Sequence, residues 1–125
     1  MDITTVQTDE ARYLYGAALF IEQYGWGQEN LFGSYEPPAQ MCALGAIGMA
    51  MFANPSDAQA ILWDEHSPVT VLAEHIDAAA YHNAVVHANE IVADWNDTPG
   101  RTAEQVVTEL RAAADAYESE HALIK

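Results

Sequence analysis

Trp95-Asn96-Asp97-Thr98-Pro99-Gly100-Arg101-Thr102 is the stretch of sequence that decides the fold of this chain. Pro99 disfavours helical backbone at Thr98, so a helix arriving from upstream is predicted to end at or before Asp97. Pro99 and Gly100 fit the centre of a type II turn, because the glycine can adopt the positive φ that this turn requires. The stretch therefore predicts a sharp corner.

Helical patterns flank this corner on both sides. Thr102 can cap a new helix, and Gln105, three residues later, completes a capping-box pattern. Apolar residues recur at helical spacing before and after the turn: Ala84, Val85, Ala88, Ile91, Val92 and Trp95 upstream, and Ala103, Val106, Val107, Leu110, Ala113, Ala114 and Tyr117 downstream. Two helices are therefore predicted to fold back on each other, with Trp95 covering the corner.

More helices are predicted along the rest of the chain. Thr8 is a good N-cap for a first helix that ends near Tyr24, followed by Gly25 as a residue able to take a left-handed conformation. Ser56 is a plausible cap for two turns over 58–63. Ser67 and Pro68 can start a helix that continues over 69–80. This helix is either separate from the next one, at 81–95, or continuous with it, and a last helix covers 102–120.

One helix is predicted to lie at the centre of the molecule. No residue from Met41 to Ala53 is charged, and a helix that is apolar all round is a buried helix. Gly45 and Gly48 each cost about 1 kcal/mol against alanine in a helix, which suggests close approach of a neighbouring helix. The sequence thus predicts an all-α fold: a single compact domain over 1–125, with five or six helices around the buried helix 41–53.

The charge of the chain restricts its partners. Nineteen acidic residues face four basic ones, which gives a net charge of −15. Direct nucleic-acid binding and anionic membranes are disfavoured, because both need Lys and Arg to contact phosphates. A protein partner with a basic surface would instead be attracted. The alternative is that the charge only keeps the protein soluble, since the acids are spread along the whole sequence.

The sequence carries no signal for a membrane or a secretory pathway. No apolar run approaches the roughly 20 residues of a membrane span, and the first residues lack the features of a signal peptide. We expect a cytoplasmic protein. We expect no cofactor, because the Gly-x-x-Gly of the central helix has neither the lysine nor the strand of a phosphate-binding loop.

Cys42 is the weak candidate for a catalytic residue. It lies near the start of the predicted central helix, where the helix dipole lowers a thiol pKa. Histidines and asparagines that could complete a nucleophilic site follow in the sequence: His66, His75, His82, His87, Asn83 and Asn89. The stronger interpretation is a buried structural cysteine, since it sits among apolar residues.

Metal binding has one weak candidate site. His87, Glu90 and Asp94 recur at i, i+3 and i+7, which would place an imidazole and two carboxylates on one helix face. Any polar outer face of a helix gives the same spacing, so an ordinary solvated face is the stronger interpretation.

A candidate interaction surface combines a loop with the corner. Aromatic residues interrupt the loop 26–39, and polar residues surround the turn; together they are Trp26, Phe32, Tyr35, Asn96, Asp97 and Arg101. Packing over the core is the alternative for the aromatic residues, and bracing of the turn, including an Asp97–Arg101 pair, is the alternative for the polar ones. The loop or the alanines at 78–80 could also form a homodimer contact.

Two motifs resemble an uncharacterised family of small proteins from actinobacteria and their phages. They are Cys42-Ala43-Leu44-Gly45-Ala46 and Trp95-Asn96-Asp97-x-x-Gly100-Arg101-Thr102, in the order and rough separation of that family. The resemblance extends from about Thr8 to Tyr117, although Met41 stands where an aromatic residue is common. It implies a helical fold and a phage or actinobacterial setting, and it transfers no catalytic residue.

These observations favour a small acidic accessory protein without enzymatic activity that binds another protein, for instance a phage protein acting on a host factor. A Cys42-dependent enzyme and a metal-binding helical protein are the alternatives.

Overall fold

A computed structural model describes residues 6–28, 40–62, 66–83 and 86–122 of the chain. The helices are α1 (Asp9–Tyr24), α2 (Ala43–Phe52), α3 (Pro55–Ala58), α4 (Ser67–Ile76), α5 (Ala78–Asn83), α6 (Ala88–Asn96) and α7 (Ala103–His121), with a 3-10 helix at Gln59–Leu62. Among the described residues, β-structure is limited to one isolated parallel bridge between Trp26 and Met41. The predicted all-α fold is confirmed.

The first and last helices pack antiparallel along their length. The Glu118 carboxylate of α7 accepts hydrogen bonds from the start of α1, at 2.7 Å from the Gln7 amide and 3.0 Å from the Thr8 amide. Further along both helices, Tyr15 of α1 donates to Asp115 of α7. Near the other end of α1, Arg111 Nη1 lies 3.0 Å from Glu22 Oε2. Along this series of contacts the residue numbers of α1 increase while those of α7 decrease, so the two helices run in opposite directions. Burial raises the pKa of Tyr15 to about 12, and the hydrogen bond to the Asp115 carboxylate is the second cause of this shift.

Helix α2 lies in the interior, as predicted. Its residues from Ala43 to Gly48 are buried, and it contacts α1, α3, α4, α6 and the 3-10 helix. Gly48 allows the close approach of α2 to α3, because an added Cβ at this position would lie 2.7 Å from the Ala58 carbonyl oxygen. A second close approach places Gly16 of α1 against Ala50. Within the described ranges, no helix is long and apolar enough to cross a membrane.

The corner between α6 and α7 has the predicted local structure. Helix α6 ends at Asn96, and the Arg101 amide donates to the Thr98 carbonyl at 3.0 Å across the turn. Gly100 has a φ of +88°, which is the conformation that the type II turn needs. Thr102 and Gln105 form a complete capping box at the start of α7.

The start of α2 differs from the prediction. The helix begins at Ala43, two residues later than expected, and Cys42 is its N-cap. Met41 is extended because its amide donates to Gly25 and its carbonyl accepts from the Gly27 amide, at 3.1 and 3.2 Å. These bonds hold the residues before α2 against the loop that follows α1.

The boundaries between residues 54 and 96 also differ. Asn54 caps α3 in place of Ser56, since its Oδ1 accepts from the Asp57 amide at 2.8 Å. Asp77 interrupts the helix predicted over 69–80 and separates α4 from α5. The helix predicted over 81–95 is not continuous, because His87 has extended backbone (φ −68°, ψ 150°) and α6 begins after it.

Candidate functional site

Asn96 is the centre of the polar network at the corner. Its side chain is buried, with 1 % of the residue exposed. Its Oδ1 accepts from the Trp26 indole N–H at 2.7 Å and from the Ala43 amide at 3.0 Å, and its Nδ2 donates to the Gly27 carbonyl and the Asp97 carboxylate. The Ala43 amide is one of the N–H groups that the start of a helix leaves without an intrahelical partner. Asn96 therefore joins the end of α6, the start of α2 and the loop after α1.

The loop after α1 is held against the corner by a second side chain. Gln28 Nε2 donates to the carbonyls of Asn96 and Thr98, each at 3.1 Å. Trp26 is half-buried, with its indole N–H directed at Asn96. Trp26, which was expected either to pack over the core or to line a binding surface, is thus fixed at the corner by this hydrogen bond. Phe32 and Tyr35, the other aromatic candidates of this loop, lie outside the described residues.

Arg101 lies over Trp95 at the outside of the corner. Its guanidinium carbon is 4.5 Å from the centre of the indole ring, and its Nε donates to the Trp95 carbonyl at 2.9 Å. This contact combines a cation–π interaction with a hydrogen bond, and it holds Arg101 against Trp95 at the corner. Asp97, at the end of α6, is half-buried and accepts from Asn96.

A cleft of about 480 Å³ opens beside this corner. Trp95 and Arg101 form one side of it, and the first two turns of α7, including Glu104 and Glu109, form the other. The corner residues Trp26, Asn96, Asp97 and Arg101 are therefore brought together, but with different exposure. Arg101 lines the cleft, whereas Asn96 is buried and holds the surrounding backbone through its hydrogen bonds.

A second cleft of about 230 Å³ lies further along α7. The rings of Tyr81 and Tyr117 and the carboxylates of Glu74 and Glu120 line it. The imidazole of His121 stacks on Tyr117 with ring centres 3.9 Å apart. On the same two helices, His75 of α4 lies 3.3 Å from Glu109 of α7.

We call the surface formed by the second cleft and the neighbouring His75–Glu109 contact the α4–α7 seam, defined by Glu74, Glu109, Tyr117 and Glu120. Sequence reasoning missed this surface. Its members lie on two helices that are distant in sequence, and only the helical spacing of Glu109, Tyr117 and Glu120 could have indicated a shared side of α7.

Cys42 is buried at the start of α2, and burial limits the reactivity of its thiol. The residue is 7 % exposed, and its Sγ accepts from the Gly45 amide at 3.4 Å. Burial raises the pKa of the Cys42 thiol, although backbone N–H groups at the start of α2 act in the opposite direction. The expectation of a lowered pKa at the helix start is therefore wrong, because loss of solvent outweighs the helix dipole.

The three residues considered for metal binding do not share a helix. Glu90 and Asp94 lie on the exposed face of α6, whereas His87 precedes it with extended backbone. Across the described part of the chain, no group of three or more His, Cys, Asp or Glu side chains could hold a metal ion. The other histidines form separate contacts, among them His82 with Glu74 at 3.1 Å.

Comparison with known families supplies the identity of the chain. The model of DUF6197, a family of unknown function, matches residues 5–116, from before α1 to the middle of the last helix. The chain belongs to this family. The search of curated proteins found no significant match, and neither did the search of solved structures. Membership of DUF6197 assigns no activity to the chain.

Proposed function

We propose that this member of DUF6197 is a small acidic accessory protein, without enzymatic activity, that binds a protein with a basic surface. One observation carries the proposal: each arginine contacts a group of its own chain. Arg12 lies 2.7 Å from Asp9, Arg111 pairs with Glu22, and Arg101 lies over Trp95. The charge presented to a partner therefore comes mainly from carboxylates.

Many of these carboxylates are exposed on several elements. The exposed ones among the described residues are Asp9, Glu22, Asp57, Glu74, Asp77, Glu90, Asp94, Glu104, Asp115 and Glu120. Such a field attracts a cationic protein surface and accelerates the encounter with it. The same field disfavours direct contact with nucleic acid, whose phosphates need cationic partners.

The corner offers a defined place for contact with the partner. Trp95, Arg101 and Asp97 are half-buried, so they present aromatic and polar groups that are already held in position. Preorganised groups bind at a lower entropic cost than mobile ones. In this proposal Trp26 and Asn96 set the shape of the surface, Asp97 meets cationic groups of the partner, and Arg101 stays over Trp95 at the edge of the contact.

The setting that we propose is the cytoplasm of an actinobacterium or of a phage-infected host. It rests on the resemblance of the Cys42–Ala46 and Trp95–Thr102 motifs to proteins of that origin. A host DNA-binding protein would be a suitable target, because carboxylates can occupy a site built for phosphates.

Affinity capture from an actinobacterial lysate tests the proposal. The tagged protein is used at low and at high salt, and the retained proteins are identified by mass spectrometry. We expect one dominant partner that is lost at high salt, since ionic attraction is screened beyond about 3 Å in 1 M salt. A partner retained equally at both salt concentrations would exclude mimicry of DNA, and absence of any partner at low salt would contradict the proposal.

Self-association is the second candidate, and the exposure of α5 favours it. Ala78 and Ala79 are exposed, and none of the residues of α5 is buried. A contact of small residues between two copies would give a symmetric dimer. Light scattering after size exclusion distinguishes a dimer from the monomer, and Ala79→Lys should dissociate a dimer that uses this face.

A further inference from the structure

Arg101 differs from the other arginines of the chain in its contacts. Arg12 and Arg111 each form an ion pair with a carboxylate of the protein. Among the described residues, no carboxylate pairs with Arg101, whose contacts are the ring and the carbonyl group of Trp95. In a chain with nineteen acidic residues, this guanidinium is the exception.

The two contacts with Trp95 hold the Arg101 guanidinium in place. Its Nε donates to the Trp95 carbonyl at 2.9 Å, and its central carbon lies 4.5 Å from the centre of the indole ring. The two Nη groups remain, and they form the edge of a guanidinium that binds a carboxylate through two parallel hydrogen bonds. Arg101 also lines the cleft of about 480 Å³ beside the corner, which we call the corner cleft.

We propose that Arg101 is a specificity-determining residue of the corner cleft, where it receives one carboxylate of an otherwise cationic partner protein. The inference rests on the proposed function and adds a chemical requirement on the partner. The partner surface is basic, and it carries a single Asp or Glu side chain that meets the guanidinium edge.

The first turns of α7 supply the groups that suit such a partner. Glu104 and Glu109 line the corner cleft, and they attract the basic side chains that flank the partner's carboxylate. Glu109 contacts His75 of α4 at 3.3 Å rather than Arg101. Thr108, on the same side of α7, adds a hydroxyl group that can donate to the carboxylate.

The fixed guanidinium discriminates against partners that lack a carboxylate. Covering Arg101 with such a partner is unfavourable, because the cation loses water and gains no acceptor in return. A uniformly cationic surface would in addition repel it. The net charge of −15 attracts every basic protein, whereas this one cation selects among them.

Two fluorescein-labelled peptides probe this requirement. Both are oligolysines of the same length, and the central residue is glutamate in one peptide and glutamine in the other. Binding to the full chain is followed by fluorescence anisotropy at about 10 mM ionic strength, where the Debye length is about 30 Å. The quantity compared is the dissociation constant of the glutamate peptide divided by that of the glutamine peptide.

The test variant is Arg101→Gln. Its matched control is Arg111→Gln, which removes the same charge from a residue of α7 that does not line the corner cleft. We expect the ratio to be about twofold to fivefold higher in Arg101→Gln than in the wild type, as for the loss of one partly exposed ion pair. The ratio in Arg111→Gln should equal that of the wild type.

Arg101→Lys is the second variant, and it keeps the proposal testable if Arg101→Gln loses helix content by circular dichroism. Lysine keeps the charge but lacks the paired N–H groups, so we expect a ratio between those of the wild type and Arg101→Gln. In labelled wild-type protein, the glutamate peptide should shift the Trp95 indole resonance and the amide resonances of 101–109.

Equal ratios in the wild type and both Arg101 variants would overturn this role of Arg101, as would shift changes that leave Trp95 and 101–109 unaffected. Absence of binding of both peptides at low ionic strength would overturn it as well. The proposed function requires only an acidic surface and is decided separately, by the capture of a partner from lysate.

Discussion

At the scale of single residues, Asn96 has four buried or half-buried side-chain hydrogen bonds to lose. Replacement by alanine removes the acceptor for the Trp26 indole and the Ala43 amide and the donor to Gly27. Because unpaired buried polar groups cost about 1–3 kcal/mol each, we expect Asn96→Ala to lower the free energy of unfolding by about 2–4 kcal/mol. Urea denaturation measures this change.

The matched control for this variant is Asn83→Ala, on the exposed end of α5, which should change the free energy of unfolding by less than about 0.5 kcal/mol. A similar small change for Asn96→Ala would mean that its hydrogen bonds do not hold the corner. Asn96→Asp keeps the acceptor but places a second carboxylate beside Asp97, so we expect it to be destabilised as well.

Cys42 gives a second prediction at this scale. Its burial and raised pKa leave little reactive thiolate at neutral pH, and the thiolate is the form that attacks a disulfide reagent. We expect slow reaction of the native protein with Ellman's reagent and fast reaction in denaturant. A native rate close to that of the denatured chain would restore Cys42 as a candidate nucleophile.

At the scale of secondary-structure elements, Gly48 determines how closely α2 and α3 approach. Gly48→Ala gains about 1 kcal/mol of helix propensity, but the new Cβ would lie 2.7 Å from the Ala58 carbonyl oxygen. We expect a net loss of about 1–3 kcal/mol in the free energy of unfolding, as in overpacked cores.

Gly16→Ala is the comparison for this variant, because its Cβ would meet Ala50 at 3.3 Å, which leaves room for a small adjustment. Thermal or urea unfolding should therefore show a smaller loss for Gly16→Ala than for Gly48→Ala. The reverse order would contradict the packing of α3 on α2.

The contact between α1 and α7 predicts a dependence on pH. Hydrogen bonds from the Gln7 amide, and then from the hydroxyl and amide of Thr8, lower the pKa of Glu118. A carboxyl whose folded pKa is lowered adds stability above its unfolded pKa, and this stability is lost as the pH falls through the folded value. We therefore expect Glu118→Gln to be destabilising at pH 7 and to approach the wild type at acidic pH, as the pH falls through the lowered pKa of Glu118 and its carboxylate becomes protonated.

Measurements of the melting temperature across this range test the prediction, with Glu120→Gln as a control on the same helix whose side chain is exposed. A difference between Glu118→Gln and the wild type that is constant with pH would show that the ionised carboxylate does not hold the start of α1.

Elements whose ends depend on neighbouring residues were predictable from the sequence. The cap at Thr8, the turn at Gly100 and the capping box of Thr102 and Gln105 all follow from local chemistry. The start of α2 was not predictable, because Met41 is held in extended backbone by Gly25 and Gly27, which are distant in sequence.

The candidate site was predictable only in part, for the same physical reason. The corner residues adjoin a turn that the sequence marks clearly. The bond between Trp26 and Asn96 joins residues seventy positions apart, and the seam requires α4 to lie beside α7. Periodicity within one helix says which side is polar, but it does not say which other helix completes a surface.

At the scale of the whole molecule, the distribution of charge is the property that the proposed function depends on. The net charge of −15 is accompanied by arginines that contact their own chain. Such a molecule binds cationic surfaces with an affinity that depends on ionic strength. Solubility alone would produce the same net charge, but it would not produce a dependence on particular carboxylates.

The most direct test is the affinity for the captured partner as a function of salt concentration, measured for the wild type, for Glu74→Gln with Glu120→Gln, and for Asp57→Asn with Glu90→Gln. We predict that the wild type loses affinity steeply as salt rises, and that the two variants, each with two carboxylates fewer, are weaker at low salt and less sensitive to salt. An affinity that is unaffected by salt in all three proteins would contradict binding through charge.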